Sequence, residues 1–143
     1  MTDRPVPAVG AVVVDDRGRL LLVRRRSGPH PGRWAVPGGK QRFGEPLRAA
    51  ARREVAEETG LEVEVGDPVW IGDILGPGYH YTVVDFLARP VGGTLRPGDD
   101  AEEVRWVSLD ELTDYPLTPT MEELVAVLEA RSLSRPGEPS GRD

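Results

Sequence analysis

Apolar residues fall mostly into short runs separated by turn-forming residues, a pattern typical of strands. Residues 6–14 are rich in valine and end at Asp15-Asp16-Arg17-Gly18, after which residues 20–23 are apolar again. These two runs and the turn between them predict a hairpin. Residues 24–34 contain too much Gly and Pro for regular structure, and residues 34–36 predict a short strand that a proline ends.

The middle of the chain is predicted to be β-rich as well. Residues 61–65 and 69–75 have strand patterns on either side of a Gly-Asp-Pro turn. Residues 79–88 predict a further strand after a Gly-Pro-Gly turn, and residues 104–107 predict one more short strand.

Two segments have the composition of full helices. Pro46 to Thr59 contains helix formers without interior Gly or Pro, and Gly60 suits the position just past the helix end. Thr120 to Leu133 has apolar residues at helical spacing, with Thr120 as its predicted cap. Residues 108–112 predict a capped helical turn before that second helix.

Strands interleaved with two well-separated helices indicate an α/β fold in which helices cover both faces of a sheet. The chain has 143 residues, the usual size of one domain, so we expect a single domain over residues 1–133. Residues 134–143 are polar and rich in Gly and Pro, and they are predicted to be disordered.

The composition narrows the classes of protein to consider. Hydrophobic residues make up 38% of the chain and charged residues 29%, and no apolar run approaches the roughly 20 residues of a membrane span. The first residues show no basic leader with a cleavage site, so we expect a cytoplasmic protein. The absence of cysteine excludes thiolate chemistry, and a net charge of -6 argues against binding a nucleic-acid polymer.

Glu54, Glu57 and Glu58 lie within five residues of the first predicted helix, where like charges repel. On a helical wheel at about 100° per residue, Glu54 and Glu58 fall inside the apolar arc and Glu57 at its border. Arg53 lies mostly on the opposite side, from which it could pair with Glu57. Carboxylates that point toward a core need compensating cations, and a hard divalent metal suits them. The alternative is a solvated acidic face.

The spacing of residues 39–61 resembles the signature of the Nudix hydrolases. Gly39 is followed after five residues by Glu45, after seven more by Arg-Glu-Val, and then by a Glu pair and Gly60-Leu61, so every specified position matches. The segments Trp-Ala-Val-Pro-Gly-Gly before this box and Trp-Val-Ser-Leu-Asp-Glu-Leu after it are also similar to that family. The resemblance covers roughly residues 6–130 and implies an α/β/α sandwich with a mixed β-sheet between helices.

By this resemblance, Glu54, Glu57 and Glu58 bind magnesium or manganese, with the Gly39 carbonyl as a further ligand. Glu54 and Glu57 are also the expected catalytic carboxylates, and Glu54 positions or deprotonates the attacking water. Arg53 and Glu45 are expected to orient these groups and are counted with the catalytic residues.

In many Nudix proteins a further acid on a loop near the end of the sheet completes the site. The residues available here are Asp99, Asp100, Glu102 and Glu103. We select Asp100 and Glu103 as candidates for contact with the substrate, and a solvated loop acid is the alternative for each.

Four other residues are candidates for substrate binding, each with a structural alternative. Arg24 and Arg26 could reach phosphate or ribose, or could face solvent at a strand end. Trp34 could stack a base or belong to the core. His80 contacts substrate only if its strand turns that side chain inward.

The resemblance implies metal-dependent hydrolysis of the pyrophosphate bond of a small nucleotide, a nucleoside diphosphate linked to another moiety. Pro77 follows Leu61 by sixteen residues, a region where a proline is associated with ADP-ribose-cleaving members, so ADP-ribose or a similar compound is the leading substrate. The alternatives are hydrolysis of nucleoside triphosphates, including oxidised dGTP, and a non-catalytic nucleotide sensor. Members often form homodimers, but these residues decide neither the oligomeric state nor the number of metal ions.

Overall fold

Residues 3–133 are described by the computed structural model of the chain, and they form four strands, a helix, three more strands and two further helical segments. The elements, in chain order, are β1 (Val6–Val13), β2 (Leu20–Arg25), β3 (Trp34–Ala35), β4 (Gly38–Lys40), α1 (Leu47–Thr59), β5 (Leu61–Gly76), β6 (Tyr79–Gly93), β7 (Ala101–Val107), a 3₁₀ helix (Leu109–Asp114) and α2 (Pro119–Leu133). Residues 134–143, which were predicted to be disordered, lie outside the described residues. No helix within residues 3–133 is long and apolar enough to cross a membrane.

The strands of the described part form two sheets. One has the order β4-β1-β6-β5, in which β1 and β6 are parallel and the other pairs are antiparallel. The other has the antiparallel order β3-β2-β7. The larger sheet is therefore mixed, as expected.

The hairpin predicted for the first two strands is wrong over most of its length. Its turn forms, since the Asp15 amide donates to the Arg19 carbonyl at 3.0 Å and Val14 bridges Leu20. Beyond that bridge, β1 pairs with β4 and β6, whereas β2 pairs with β3 and β7. The physical reason is that both strands are buried on both faces, and such strands occupy interior positions with a partner on each side.

The turn predicted at Gly66-Asp67-Pro68 is also wrong, because β5 continues through it. The register between β5 and β6 shifts on both sides of Pro68, which marks a bulge. β5 lies at the edge of its sheet, where a bulge tolerates a residue that has no N–H to donate. The chain bends at this point and does not reverse.

Helices α1 and α2 lie on opposite faces of β1. Val9 packs with Ala50 and Ala51 of α1, while Val12 packs with Met121 and Leu124 of α2. An odd and an even position of one strand point to opposite faces, so the sheets lie between the helices. This is the expected α/β/α sandwich.

Helix α1 begins at Leu47, one residue later than predicted, and ends at Thr59 as predicted. Pro46 directly precedes its first residue, and Gly60 ends it in the left-handed conformation with φ 77°. Helix α2 begins one residue earlier than expected, at Pro119, so Thr120 lies inside the first turn and does not cap it. Pro119 explains the difference, because its fixed φ and missing N–H suit the first helical position.

The capped turn predicted at residues 108–112 is confirmed as the start of the 3₁₀ helix. The backbone N–H and the hydroxyl of Ser108 donate to Glu111 Oε1 at 3.3 and 3.0 Å. This short helix leads the chain from β7 toward α2.

Candidate active site

Strand β4 and helix α1 place the backbone of Gly38 and Gly39 beside Glu54 and Glu58. Gly39 of β4 pairs with Val9 of β1, and α1 packs over that part of the sheet. A β-carbon at Gly39 would lie 2.5 Å from the carboxyl carbon of Glu54. Glycine at this position therefore allows the Glu54 carboxylate to lie directly against the β4 backbone.

The three glutamates differ in burial as the wheel predicts. The Glu54 side chain is 13% exposed and that of Glu57 is 49% exposed, while Glu58 is part-buried and accepts a hydrogen bond from the Gly38 amide at 3.1 Å. Burial raises the pKa of the Glu54 carboxyl, despite the opposing effect of Arg53. Burial also raises the pKa of Glu58, to about 8, and repulsion from Glu54 adds to this. Negative charge at Glu54 and Glu58 is thus poorly compensated by the protein itself.

Arg53 lies among the acids and not on the opposite side of α1, so its predicted placement is wrong. Its Nη1 donates to Glu54 and Glu57 at 2.9 and 3.1 Å, and its Nη2 donates to the Lys40 carbonyl at 3.0 Å. The long side chain allows this, because the guanidinium can extend far from the point where its stem leaves the helix. The predicted pairing of Arg53 with Glu57 is confirmed.

Glu45 forms a two-point ion pair with Arg53. The Nε and Nη2 atoms of Arg53 donate to the two carboxylate oxygens at 2.7 and 3.0 Å. Hydrogen bonding from Arg53 holds the pKa of the Glu45 carboxyl at about 2, and the ion pairs raise the pKa of Arg53 above its usual range. Glu45 therefore fixes the guanidinium that in turn holds Glu54 and Glu57.

Arg42 is a site residue that the sequence reasoning missed. Its Nη2 lies 3.3 Å from Glu57 Oε2, and its backbone N–H donates to Glu45 Oε1 at 3.1 Å. Its position could have indicated this role. Arg42 lies in the loop between β4 and α1, and that loop must fold back over α1 for Glu45 to reach Arg53.

The loop between β6 and β7 covers the C-terminal end of α1. The amides of Arg96 and Gly98 donate to the carbonyls of Thr59 and Glu58, each at 2.9 Å. These bonds satisfy carbonyls that a helix end leaves without partners. They also fix a cleft of about 600 Å³ between the loop and the glutamates, lined by Glu54, Glu57, Glu58, Arg96, Pro97, Asp99 and Asp100 among others.

The structure separates the four candidate loop acids into two groups. Asp99 and Asp100 line the cleft, and the Asp100 charge contributes to the raised pKa of Glu58. Glu102 and Glu103 belong to β7, and Glu103 pairs with Arg105 at 2.6 Å. The placement of Asp100 beside the glutamates agrees with its selection, whereas Glu103 lies outside the cleft, contrary to its selection.

Arg26 and Arg24 have partners that the sequence did not reveal. Arg26 donates through Nε to the Asp99 carbonyl at 3.0 Å and through Nη2 to the Ala101 carbonyl at 3.2 Å, so it holds the cleft loop. Arg24 Nε lies 3.1 Å from Glu102 Oε1. Neither arginine lines the cleft, and Arg26 acts on it through the loop.

Trp34 and His80 also lie away from the acidic cleft. Trp34 is 4% exposed and packs edge-on against Tyr115, with ring centroids 5.3 Å apart. The core alternative therefore applies to Trp34, because a buried ring has no free face for a base. His80 Nε2 lies 2.8 Å from Asp73 Oδ1 across the β5–β6 pair.

The donor chemistry of the site fits a hard divalent cation. The groups that lie near one another are the carboxylates of α1 and the β4 backbone, and oxygen ligands are those that Mg²⁺ and Mn²⁺ prefer. No three His, Asp or Glu side chains among residues 3–133 converge as a ready metal site, and Arg53 holds Glu54 and Glu57 in ion pairs. Glu57, as the more exposed of these two, can reorient toward a cation.

The chain is similar in sequence and in fold to known proteins of the Nudix family. The family model described as NUDIX domain matches residues 4–128. An ADP-ribose pyrophosphatase of Methanocaldococcus jannaschii is 34% identical over 110 residues, and the match spans 76% of this chain but only 64% of that protein's length. A putative 8-oxo-dGTP diphosphatase 2 of Mycobacterium tuberculosis is 39% identical over 134 residues, 90% of each chain. The crystal structure of a MutT NUDIX hydrolase from Burkholderia pseudomallei matches with a TM-score of 0.80 and 32% identity, over 87% of this chain and 98% of that one.

Proposed function

The chain belongs to the Nudix hydrolase family, and we propose that it hydrolyses the pyrophosphate bond of a nucleoside diphosphate linked to another moiety, with ADP-ribose or a similar compound as substrate. The observation that carries the proposal is the group of half-buried glutamates on α1, which faces a cleft closed by two further acids. Arg53 and Arg42 compensate only part of this negative charge, so such a concentration of carboxylates is costly in a protein that binds no cation.

Glu54, Glu57 and Glu58, with the Gly39 carbonyl, would hold the metal, for which we propose Mg²⁺ or Mn²⁺. When bound, the cation neutralises phosphate oxygens and lowers the pKa of water. Glu54 accepts the proton of the attacking water, because burial raises the pKa of its carboxyl and Arg53 holds the group in position. Arg53 and Glu45 position the carboxylates, and water enters at a phosphorus so that the reaction releases two phosphate esters.

ADP-ribose is favoured by the similarity to the archaeal ADP-ribose pyrophosphatase. The cue from Pro77 is weaker than it was in the sequence, because Pro77 and Gly78 form the two-residue turn between β5 and β6 and a turn alone accounts for them. A nucleoside triphosphate such as oxidised dGTP is the second candidate. It is favoured by the mycobacterial relative, whose match extends over 90% of both chains.

A non-catalytic nucleotide sensor is the candidate from another class. Loss of catalysis would remove the need for the costly carboxylates, yet all three are present and Gly39 and Glu45 keep the contacts that position them. The intact site therefore favours an enzyme.

The test is a panel of ADP-ribose, a nucleotide sugar, a dinucleoside polyphosphate and 8-oxo-dGTP with Mg²⁺, with products identified by chromatography. We expect AMP and ribose 5-phosphate from ADP-ribose, and the reaction should stop in EDTA. Preference for the triphosphate, with release of pyrophosphate, would replace the leading substrate by the second candidate.

Glu57→Gln tests the assignment of the site in the same assay. We expect a loss of turnover of at least about 100-fold with the fold retained. Glu129→Gln is the matched control, since Glu129 is an exposed acid on α2, and it should keep wild-type turnover. Full activity of Glu57→Gln would show that the metal assignment is wrong.

A further inference from the structure

Asp85 is a buried carboxyl group that the proposed chemistry does not use. It lies on β6 in an otherwise apolar stretch and is 6% exposed. Within residues 3–133 it has no hydrogen-bond or ion-pair partner. Burial alone accordingly raises its pKa, to about 7. Buried polar groups in proteins almost always have partners, so an unpartnered one calls for a function.

The position of Asp85 connects it with the Nudix box. Gly10 of β1 pairs with Asp85 on one side and with Gly38 on the other. A β-carbon at Gly10 would collide with Asp85 Oδ1 and would lie 3.3 Å from the Val36 side chain. The Asp85 carboxyl therefore leans over Gly10, toward the strand that carries the box, because the glycine leaves that space free.

The Asp85 oxygens can be reached from outside. Within residues 3–133, Arg24 Nε is the one solvent-inaccessible side-chain nitrogen or oxygen without a hydrogen bond, although it lies within ion-pair distance of Glu102. Because Asp85 also has no partner, its oxygens must still touch solvent. A ligand on this face of the sheet could thus replace the solvent.

We propose that Asp85 contacts the base of the nucleotide substrate and selects purines that carry an exocyclic amino group. This inference rests on the proposed function and names the part of the substrate that the glutamates do not reach. Gly38, whose amide binds Glu58, lies two strands from Asp85, a separation of roughly 10 Å. Val84 and Phe86 pack with α1, so Asp85 faces the other side of the sheet. β4 is the edge strand on the side of the glutamates, so one nucleotide can pass around that edge, with its phosphates near the glutamates and its base at Asp85.

The chemistry of the side chain defines the preferred base. A carboxylate accepts hydrogen bonds and offers none, so it matches the N6 amino group of adenine or the N1–H and N2 amino group of guanine. Hypoxanthine has the same ring shape but carries an oxygen in place of the adenine amino group, and compared with guanine it keeps N1–H and lacks only the N2 amino group. A buried acceptor that loses a donor, or that meets an oxygen in its place, discriminates against such an analogue.

The experiment compares amino and deamino substrates in matched pairs with Mg²⁺. The pairs are ADP-ribose with its hypoxanthine analogue, and dGTP with dITP. For the pair that the wild type hydrolyses, we expect kcat/KM to be at least about 10-fold higher for the amino base. Asp85→Asn should bring this ratio to within about twofold, since its amide offers a donor as well as an acceptor. Asp73→Asn, a change of the same kind at a 55% exposed position on β5, should keep the wild-type ratio.

A second variant and a second readout separate the possible outcomes. Gly10→Ala displaces the carboxyl without changing residue 85, and it should also reduce the ratio. Calorimetric binding of AMP and IMP needs no turnover, so it tests Asp85 even if the wild type hydrolyses none of these compounds and the proposed function fails. If the base preference of Asp85→Asn and Gly10→Ala equals that of the wild type, the inference is wrong. A lower melting temperature without a change in preference would assign Asp85 a structural role only and would equally overturn it.

Discussion

Replacing Glu58 by glutamine should stabilise the metal-free protein, although it removes a proposed metal ligand. Burial raises the pKa of the Glu58 carboxyl to about 8. At pH 7 the folded protein therefore keeps a proton on Glu58 that the unfolded chain has released, which weakens folding. Glutamine has nearly the same shape, carries no charge, and retains an oxygen that can accept the hydrogen bond from the Gly38 amide.

The size of this stability gain follows from the difference between the pKa of Glu58 in the folded and unfolded states. The ordinary pKa of Glu58 is 4.5, about 2.5 pH units below pH 7, and each unit corresponds to about 1.4 kcal/mol. The upper limit is thus about 3 kcal/mol. Because Glu58 is only part-buried, solvent screens part of this effect, and we expect a gain of roughly 1 to 2 kcal/mol in the free energy of unfolding. That gain corresponds to a rise in melting temperature of roughly 3 to 8 °C.

The stability difference between Glu58→Gln and the wild type should increase with pH. Because the folded pKa is raised, the wild type loses stability as the pH rises from about 4.5 to about 8. The glutamine variant lacks this group and escapes the loss. Its advantage should therefore be absent near pH 4.5 and largest at pH 8 and above.

Thermal melts in EDTA at pH 5, 7 and 8.5 measure the effect. Glu57→Gln is the matched control, since Glu57 is half-exposed and paired with two arginines, so its removal should not stabilise the protein. In saturating Mg²⁺ the wild type should have the higher melting temperature, because the cation stabilises it more than it stabilises Glu58→Gln. A Glu58→Gln protein that melts at or below the wild type at pH 8.5 without metal would refute the reasoning.

Three other predictions test how the site is built. Arg53→Lys should lower the free energy of unfolding by about 2 kcal/mol and kcat at least 10-fold, because an ammonium cannot bind Glu45 at two points; urea denaturation and steady-state kinetics measure both, and wild-type values would exclude a positioning role. Gly39→Ala should lower kcat/KM by about 100-fold, since its β-carbon would displace the Glu54 carboxyl, and unchanged kinetics would show that this contact is dispensable. Asp100→Asn should reduce kcat by about 10-fold while Glu103→Gln stays within twofold, because Asp100 alone of the two lines the cleft; similar effects in both variants would contradict that placement.

Local features of the chain were predictable because they depend on neighbouring residues. Helix α1 begins within one residue of the predicted start and ends before Gly60 as expected, since the lack of a proline N–H and the left-handed freedom of glycine act within one turn. The burial of Glu54 and Glu58 also followed from helical geometry alone. The spacing of the box placed Gly39 and Glu45 relative to these acids, and the contacts in the structure agree.

Side chains that reach across elements were harder to predict. A helical wheel records where a side chain leaves the helix, so it placed Arg53 opposite the acids that its guanidinium in fact binds. The loop acids could not be sorted, because strand β7 begins between Asp100 and Glu103 and that boundary depends on pairing with β2. In the sequence, Asp85 was simply a polar residue in a strand.

The sequence by itself determined the two helices, most of the strands and the α/β class, and its motif spacing indicated the Nudix family, because propensity, helix ends and the spacing of a motif act over short stretches of chain. Only the tertiary structure decided which strands are neighbours, which acids face the cleft and which carboxyl group is left without a partner. These properties arise from contacts between residues far apart in the chain. The pairing of Gly10 with Gly38 and Asp85 brings three distant segments side by side, and the spacing of residues along any one of them contains no record of that contact.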